Sequence, residues 1–202
     1  MPVTHIDWDR YPMVPPLIEN NMSYNIFFAS DYHFGHQKPY NTFLRPDGKF
    51  LRHEFANAEE GDEAMIDRHN AVVKDNDRVY MVGDIVFHTR DLHKVGRMKG
   101  RKVLIKGNHD LLEAKDYLQY FDDIRGVHQF SGMVITHIPI HPENLGRWGF
   151  NVHGHLHFNQ VMINSHYAPE SRKIPDPRYF NVSVERINYT PISLEEIKKF
   201  KP

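Results

Sequence analysis

Five short apolar runs in this chain each end at aspartate, histidine or asparagine residues, and this arrangement constrains the fold more than any other feature. The runs lead into the segments Asp31-Tyr32-His33, Gly83-Asp84, Gly107-Asn108-His109-Asp110, Thr136-His137 and Gly154-His155-Leu156-His157. Short apolar runs are typical of buried strands. Ligands of α/β proteins bind in the crevice outside the carboxyl ends of the strands. We therefore expect these polar side chains to converge on one cleft.

Strands alternate with helices along the chain, which predicts an α/β domain. The expected strands are 24–30, 78–82, 103–105, 124–129, 132–136, 150–153, 160–163 and 179–185. Helical spacing and capping residues predict helices at 58–74, 92–98 and 114–121, and a terminal helix that a capping box of Ser193 and Glu196 opens. Hairpin-like strands in the second half indicate a mixed sheet or two sheets.

Length and composition narrow the class of protein. A chain of 202 residues suits one domain, with the Pro-rich residues 1–22 as an N-terminal arm. The net charge of −1 argues against a broad nucleic-acid-binding surface, and the absence of cysteine excludes thiolate metal sites and favours a reducing compartment. No stretch approaches the roughly 20 apolar residues of a membrane helix. We therefore expect a cytoplasmic protein without a membrane partner.

The spacing inside two of the polar clusters favours paired metal ligands. In an extended segment, residues i and i+2 project from the same face, so Asp31 with His33, and His155 with His157, can each aim two side chains at one cavity. Each cluster alone is a weak signal, because an Asp-x-His tripeptide often arises by chance. Their order and their common place at strand ends make a metal site the better interpretation.

The order D-x-H, G-D, G-N-H-D, a single H and G-H-x-H resembles the calcineurin-like metallophosphoesterase superfamily. The resemblance covers roughly residues 24–190 and is closest to the small branch found in bacteria and their phages. It implies a four-layer fold, in which a sandwich of two mixed β-sheets is flanked by helices. It also implies hydrolysis of a phosphoester by metal-activated water.

Carried over residue by residue, the resemblance implies a role for each polar residue of the five blocks. The ligands of one metal would be Asp31, His33 and His157, and those of the other Asn108, His137 and His155. Asp84 would bridge both metals, and Asn108 would also touch the substrate. His109 would lie beside the second metal as a proton donor or a transition-state-stabilising group. Many relatives carry Glu where this chain has Asp110, a change that should not affect ligation.

The ligand types narrow the metal and the chemistry. Carboxylate, amide oxygen and imidazole without thiolate suit Mn²⁺, Fe, Zn²⁺, Co²⁺ or Ni²⁺, and we expect two divalent cations per chain, with Mn²⁺ favoured. Such a pair lowers the pKa of a shared water toward neutrality. We expect a small phosphorylated substrate, with a phosphodiester or nucleotide-type substrate favoured.

Four side chains outside the five blocks are further candidates. His36 follows the first block and is expected to touch the substrate, although an ordinary loop histidine fits as well. Arg147 precedes the last block and is expected to bind phosphate, unless it packs on Trp148. Arg45 and Arg52 are expected to lie in a loop that caps the cleft. Ordinary loop, surface or packing roles are expected for His5, His53, His69, His88, His93, His128 and His166, and the role of His141 is open.

Three other functions share parts of this pattern. A phosphomonoesterase and a nuclease use the same metal core, but a nuclease also needs a basic groove with aromatic platforms. A metal-binding module without turnover would carry a dense histidine tract rather than five dispersed blocks. The oligomeric state leaves no mark in the sequence.

Overall fold

The computed structural model describes residues 24–164 and 173–202. The N-terminal arm expected at residues 1–22 lies outside the described residues, as do His5 and His166.

The first sheet carries three of the polar blocks. Its strands are β1 (Ile26–Ala29), β2 (Arg78–Met81), β3 (Arg101–Ile105), β4 (Asp123–Arg125) and β11 (Ile192–Ser193). Their order across the sheet is β11-β1-β2-β3-β4, with β1 to β4 parallel and β11 antiparallel to β1. The parallel direction brings the carboxyl ends of β1, β2 and β3 to one edge. Asp31, Asp84 and Asn108 follow those three ends.

The second sheet carries the remaining two blocks. Its strands are β5 (His128–Phe130), β6 (Met133–Thr136), β7 (Asn151–His153) and β10 (Tyr179–Asn181), in the order β10-β7-β6-β5. Strands β6, β7 and β10 are parallel, and β5 pairs antiparallel with β6. His137 and His155 follow the carboxyl ends of β6 and β7. Strands β8 (Met162–Asn164) and β9 (Lys173–Pro175) form a separate antiparallel pair.

The segment after β10 joins the carboxyl ends of the two sheets. The backbone N–H of Val182 donates to the carbonyl of His153 at 2.7 Å, and the N–H of Ser30 donates to the carbonyl of Val182 at 2.9 Å. Ser30 and Ser183 also form a parallel bridge. These bonds hold the block after β1 against the block after β7.

Helices are few and mostly short among the described residues. The α-helices are α1 (Lys38–Asn41), α2 (Ala58–Val72), α3 (Ala114–Tyr117) and α4 (Leu194–Lys198), and 3-10 helices span Thr89–Arg97 and Pro142–Leu145. The side chain of Asn57 caps α2 by accepting from the N–H of Glu60, and Ser193 with Glu196 forms the expected capping box of α4. None of these helices is long and apolar enough to cross a membrane.

Side chains on the two faces of the first sheet enter different cores. Successive strand residues point to opposite faces, so Phe27 packs with Met65 and Ile66 of α2, whereas Phe28 packs with Ile135 of the second sheet. The mixed sheets and the helices together confirm the expectation of an α/β protein.

The prediction of a single strand at 124–129 is wrong in one respect. The chain leaves the first sheet after Arg125 and enters the second at His128, so this apolar run contributes to two sheets. Gly126 and Val127 connect the two strands. The sequence pattern does not reveal the change of sheet, because the residues on both sides of the connection are extended. The helix expected at 114–121 also ends early, at Tyr117.

Candidate metal centre

Six of the predicted ligands form two groups beyond the strand ends. The first group is Asp31, His33 and His157, and the second group is Asp84, His137 and His155. Within each group, one donor atom of every side chain lies within 4.8 Å of the others. The Oδ1 of Asn108 lies 3.1 Å from Nε2 of His137 and so joins the second group. The fold therefore brings all seven residues together, and metal coordination by them stays a prediction.

Five of these residues have a left-handed backbone, so the expectation of an extended segment at Asp31–His33 and at His155–His157 is wrong. The φ angles are 59° at Asp31, 46° at His33, 55° at Asp84, 68° at His155 and 49° at His157. Such a conformation costs a non-glycine residue on the order of 1 to 3 kcal/mol and is concentrated at functional sites. Asp31 and His33 still join one group, whereas His155 and His157 join different groups, the division that the resemblance implies.

The carboxylate of Asp84 lies between the two groups. Its Oδ2 is 3.6 Å from Nε2 of His33 in the first group and 3.2 Å from Nε2 of His137 in the second. Its Oδ1 accepts a hydrogen bond of 2.8 Å from the backbone N–H of His109. One oxygen is thus held by the fold, and the other faces donors of both groups.

The carboxylate of Asp31 is held in a similar way. Its Oδ2 accepts hydrogen bonds from the hydroxyls of Ser30 and Ser183, at 2.7 and 2.9 Å, and from the N–H of His155 at 2.9 Å. Its Oδ1 is buried without a hydrogen-bond partner and lies 3.9 Å from Nε2 of both His33 and His157. A buried oxygen left unpaired is costly, and a cation among these three side chains would satisfy it.

Arg52 is not part of a cap over the cleft, and that expectation is wrong. Its side chain is fully buried, and its guanidinium donates to the carbonyl oxygens of Asp31 and Tyr32, at 2.5 and 2.8 Å. Its Nε donates to Glu185 at 2.8 Å, and the Glu185 carboxylate lies 3.3 Å from Nδ1 of His157. A carboxylate on the far nitrogen fixes the ring of a ligating histidine. Sequence reasoning missed Glu185, because it lies 28 residues after His157 in no recognisable motif.

Asp110 organises the backbone of two blocks. Its carboxylate accepts from the N–H groups of Asp84, Ile85 and Gly107, at 2.8, 3.0 and 2.8 Å. Burial raises the pKa of Asp110, and these three hydrogen bonds oppose the rise. Asp110 therefore ties the loop after β3 to the turn after β2. It can take this role because it belongs to neither ligand group.

His137 and Asp84 form a pair that favours a protonated imidazole beside an ionised carboxylate. Burial lowers the pKa of His137, but its hydrogen bond to Asp84 and the nearby carboxylates outweigh burial and raise that pKa to about 9. Burial likewise opposes ionisation of Asp84, yet the bond to His137 prevails and lowers its pKa to about 2. Nδ1 of His137 donates to the carbonyl of Val82 at 2.8 Å, so Nε2 faces the carboxylate. A divalent cation bound there would replace the Nε2 proton.

Two glycines allow the blocks to approach each other closely. Gly83 has a φ of +84°, and a Cβ there would lie 2.5 Å from Nδ1 of His137. A Cβ on Gly154 would lie 2.5 Å from Oδ2 of Asp31. Any side chain at either position would displace one of the predicted ligands, as expected for glycine at these strand ends.

The remaining predicted site residues are His36, His109, Arg147 and Arg45. The imidazole of His36 lies beside the first group, 5.7 Å between ring centres from His33, and burial lowers its pKa to about 4. His109 is exposed, and its ring centre lies 5.5 Å from that of His33. Arg147 is exposed just beyond the 3-10 helix Pro142–Leu145. Arg45 is paired with Glu54 at 2.9 Å.

The donor set fits divalent cations. Each group offers a carboxylate oxygen and two imidazole nitrogens, Asn108 adds an amide oxygen to the second, and Asp84 of the second group also faces His33 of the first. Imidazole and carboxylate donors without thiolate suit Mn²⁺, Zn²⁺ and Fe. The clearest sign that a cation fits is Oδ1 of Asp31, which is buried without a hydrogen-bond partner. The Oδ2 of the same carboxylate accepts three hydrogen bonds from the protein.

Comparisons with known proteins give relatives of unknown function. The chain is 31% identical over 178 residues to "Uncharacterized protein MJ1445" of Methanocaldococcus jannaschii, a match that covers 86% of this chain and 89% of the relative. A crystal structure of the protein of unknown function AQ665 from Aquifex aeolicus is similar, with a TM-score of 0.58 and 25% identity. That match covers 87% of this chain and 98% of the other. No protein-family model matches the sequence.

Proposed function

This chain belongs to the same family as the uncharacterized protein MJ1445, and we propose that it is a two-metal phosphoesterase of the calcineurin-like metallophosphoesterase type. The proposal includes the four-layer sandwich of that superfamily as the finer description of the fold. It also includes hydrolysis of a small phosphodiester or nucleotide-type substrate, with Mn²⁺ as the favoured metal.

The position of Asp84 is the observation that carries the proposal. One oxygen of this carboxylate lies within 3.6 Å of imidazole nitrogens from both groups. A carboxylate between two sets of neutral nitrogen donors is suited to bridge two cations, because it offsets charge on both. A structural metal site needs one closed set of ligands, so two sets that share a carboxylate favour a catalytic pair.

The chemistry assigned to the centre follows from its charge. Two divalent cations, when bound, supply Lewis-acid activation of water and neutralise charge on the phosphoryl oxygens. The protein contributes two carboxylates, from Asp31 and Asp84, and otherwise neutral donors. The centre as a whole therefore keeps an excess of positive charge, which suits an anionic phosphoester.

His109 supplies the proton-handling group of the proposal. Its backbone is fixed through the 2.8 Å bond to Asp84, while its imidazole stays exposed at the mouth of the site. An exposed imidazole beside a metal pair can donate a proton to a leaving oxygen or a hydrogen bond to a phosphoryl oxygen. Its ring nitrogens lie outside both ligand groups.

The engagement of two nearby arginines favours a diester over a monoester. Arg52 is paired with Glu185, and Arg45 is paired with Glu54. Neither guanidinium is therefore free to neutralise the second negative charge of a phosphomonoester. Arg147 is exposed and is assigned to phosphate binding within this proposal.

The test is hydrolysis by protein reconstituted with Mn²⁺, with bis-nitrophenyl phosphate and nitrophenyl phosphate compared under the same conditions. We expect chelator-sensitive hydrolysis with a higher kcat/KM for the diester. Elemental analysis should give two metals per chain. His155→Ala should lower activity, whereas substitution of His93, an exposed histidine outside the site, by Ala should leave activity at the parent level.

Three results would decide against parts of the proposal. A monoester preference above about tenfold would make the protein a phosphomonoesterase, since each tenfold ratio corresponds to about 1.4 kcal/mol of transition-state binding. A reproducible ceiling of one metal per chain would exclude the two-metal mechanism. Metal binding without hydrolysis of either ester would favour a metal-binding module.

A further inference from the structure

An exposed aromatic cluster lies beside the candidate metal centre. The cluster consists of His36, Phe43 and Phe87. The imidazole of His36 stacks on the ring of Phe87 with 4.1 Å between ring centres and 11° between planes, and Phe43 meets His36 edge-on at 5.7 Å. The two phenylalanines are 43% and 42% exposed, so both rings offer apolar surface to solvent.

The ring of Phe87 stands on a rigid base. Its backbone N–H donates to the carbonyl of Phe34 at 3.1 Å, and Phe34 pairs with Val86 in a parallel bridge. Phe34 and Val86 are both buried in the core. His36 covers one face of the Phe87 ring, so this ring is held in place while much of it stays open to solvent. A preorganised aromatic surface of this kind loses little entropy when a ligand stacks on it.

The cluster is continuous with the groups assigned to chemistry. His36 lies 5.7 Å from His33, and Phe87 lies 6.4 Å from His109, all between ring centres. Phe87 therefore lies within reach of a substituent on a phosphoryl group held between the two ligand groups. The flat, apolar ring surface suits a planar aromatic substituent better than a charged or sugar group.

We propose that the cluster of His36, Phe43 and Phe87 binds the nucleobase of a nucleotide-type phosphoester, with Phe87 as the stacking surface. This inference rests on the proposed function, because it names the substrate class of the same site. Stacking uses the π-face that every base has, so it selects for the presence of a base rather than for one base. Phe87 is a specificity-determining residue in this arrangement and takes no part in the bond-breaking step.

The test compares two phosphates that differ only in the base. Both are used as their methyl phosphodiesters, because the site is expected to prefer diesters, and the dissociation constants of the esters of adenosine 5′-monophosphate and ribose 5-phosphate are measured by calorimetry on the Mn²⁺-reconstituted protein. Stacking of one base should make the nucleotide bind about 5- to 150-fold more tightly. Phe87→Ala should weaken binding of the nucleotide until its dissociation constant approaches that of the ribose 5-phosphate compound. The dissociation constant of the ribose 5-phosphate compound should not change.

Two variants control the comparison. Phe50→Ala removes a phenylalanine that is 41% exposed and lies outside the cluster, so it should keep the full preference for the nucleotide. Phe87→Tyr keeps an aromatic face and should keep most of that preference. Circular dichroism of each variant shows that the fold is retained, as expected for substitution of exposed side chains.

Three outcomes would overturn the inference. They are equal affinity of the parent for both phosphates, binding of neither, and a nucleotide preference that survives in Phe87→Ala. Hydrolysis of bis-nitrophenyl phosphate by the same preparation tests the proposed function independently. Hydrolysis without base preference would leave that function intact and remove Phe87 from substrate recognition.

Discussion

Arg52 and Glu185 form an ion pair that is closed off from solvent, with the guanidinium Nε 2.8 Å from the carboxylate Oε1. The pair joins the loop between α1 and α2 to the segment after β10, 133 residues apart in the chain. Arg52 also donates to two carbonyl oxygens of the first block, those of Asp31 and Tyr32, and Glu185 faces His157. One buried pair therefore holds the backbone of Asp31 and the imidazole of His157 in their mutual positions.

Glu185→Gln should weaken the first metal site selectively. Glutamine keeps the size of the side chain but removes the charge that faces Nδ1 of His157 and neutralises Arg52. Loss of such a supporting carboxylate typically lowers metal affinity by about 10- to 100-fold. Competition titration with a chromophoric chelator should show one weakened and one parent-like site. If both sites of the variant kept the metal affinity of the parent, Glu185 would have no role in metal binding.

The same variant should also be less stable. A buried guanidinium left without its partner typically costs about 3 to 5 kcal/mol in the free energy of unfolding. Glu63→Gln offers a matched control, because it breaks the half-exposed pair with Arg97 and should cost about 0 to 1 kcal/mol. Urea denaturation in the presence of chelator measures both values without a contribution from metal binding.

Asp84→Asn should reduce activity more than the loss of any ligand assigned to a single metal. The amide keeps the shape of the side chain but removes the charge that both metals would share. Activity should be measured against Mn²⁺ concentration, with His155→Ala as the comparison, since His155 belongs to the second group alone. Near-parent turnover of Asp84→Asn at ordinary Mn²⁺ concentrations would show that Asp84 does not bridge.

His109→Ala should separate catalysis from metal binding. The imidazole lies outside both ligand groups, so metal content should equal that of the parent. General acid catalysis and oxyanion stabilisation each contribute about 10²- to 10⁴-fold, and kcat should fall within that range. The loss should be larger for an alkyl ester than for a nitrophenyl ester, because alkoxide needs protonation to leave. Loss of one metal would instead identify His109 as a ligand.

His69 should make the fold sensitive to acid. Its ring is buried, with Nε2 2.9 Å from the carbonyl of Lys99 and Nδ1 3.3 Å from the hydroxyl of Tyr32, and burial lowers its pKa to about 4. The unfolded chain binds a proton near pH 6.5, so between pH 6.5 and 4 it holds more protons than the folded protein. Stability present above pH 6.5 is therefore lost as the pH falls, by on the order of 3 kcal/mol.

Urea denaturation with chelator at pH 7.5, 6, 5 and 4 checks this expectation. His69→Gln should be less stable at pH 7.5 but lose less on acidification. His93→Gln, at an exposed position, should follow the parent. An acid slope that is equal in parent and His69→Gln would mean that other groups govern the transition.

Much of the site was predictable because its signals are local. A buried strand sets the direction of its last residue, and the next side chain then points beyond the sheet edge. All seven predicted ligands accordingly lie beyond strand ends, together in the structure, as do His36 and His109. The helix at 58–74 and the capping box at Ser193 were predictable for the same reason, since caps and apolar spacing act over a few residues.

Other features needed contacts between distant parts of the chain. The run at 124–129 looks like one strand, but pairing partners far away in sequence divide it between two sheets. The i, i+2 spacing of His155 and His157 by itself suggests one shared cavity, whereas the backbone at both residues is left-handed and their side chains enter different groups. Backbone strain of this kind is maintained by surrounding structure and has no signature in the residues themselves.

The sequence by itself determined which residues can bind metal and that strand ends deliver them to one edge, because both follow from side-chain chemistry and short-range periodicity. Only the tertiary structure decided the backbone angles and hydrogen bonds that hold those residues in two groups, a division that the resemblance already implied. It also decided that Arg52 lies in the interior rather than over the cleft. A charged side chain is stable there only beside a buried partner, and Glu185 reaches it through folding alone, from 133 residues away.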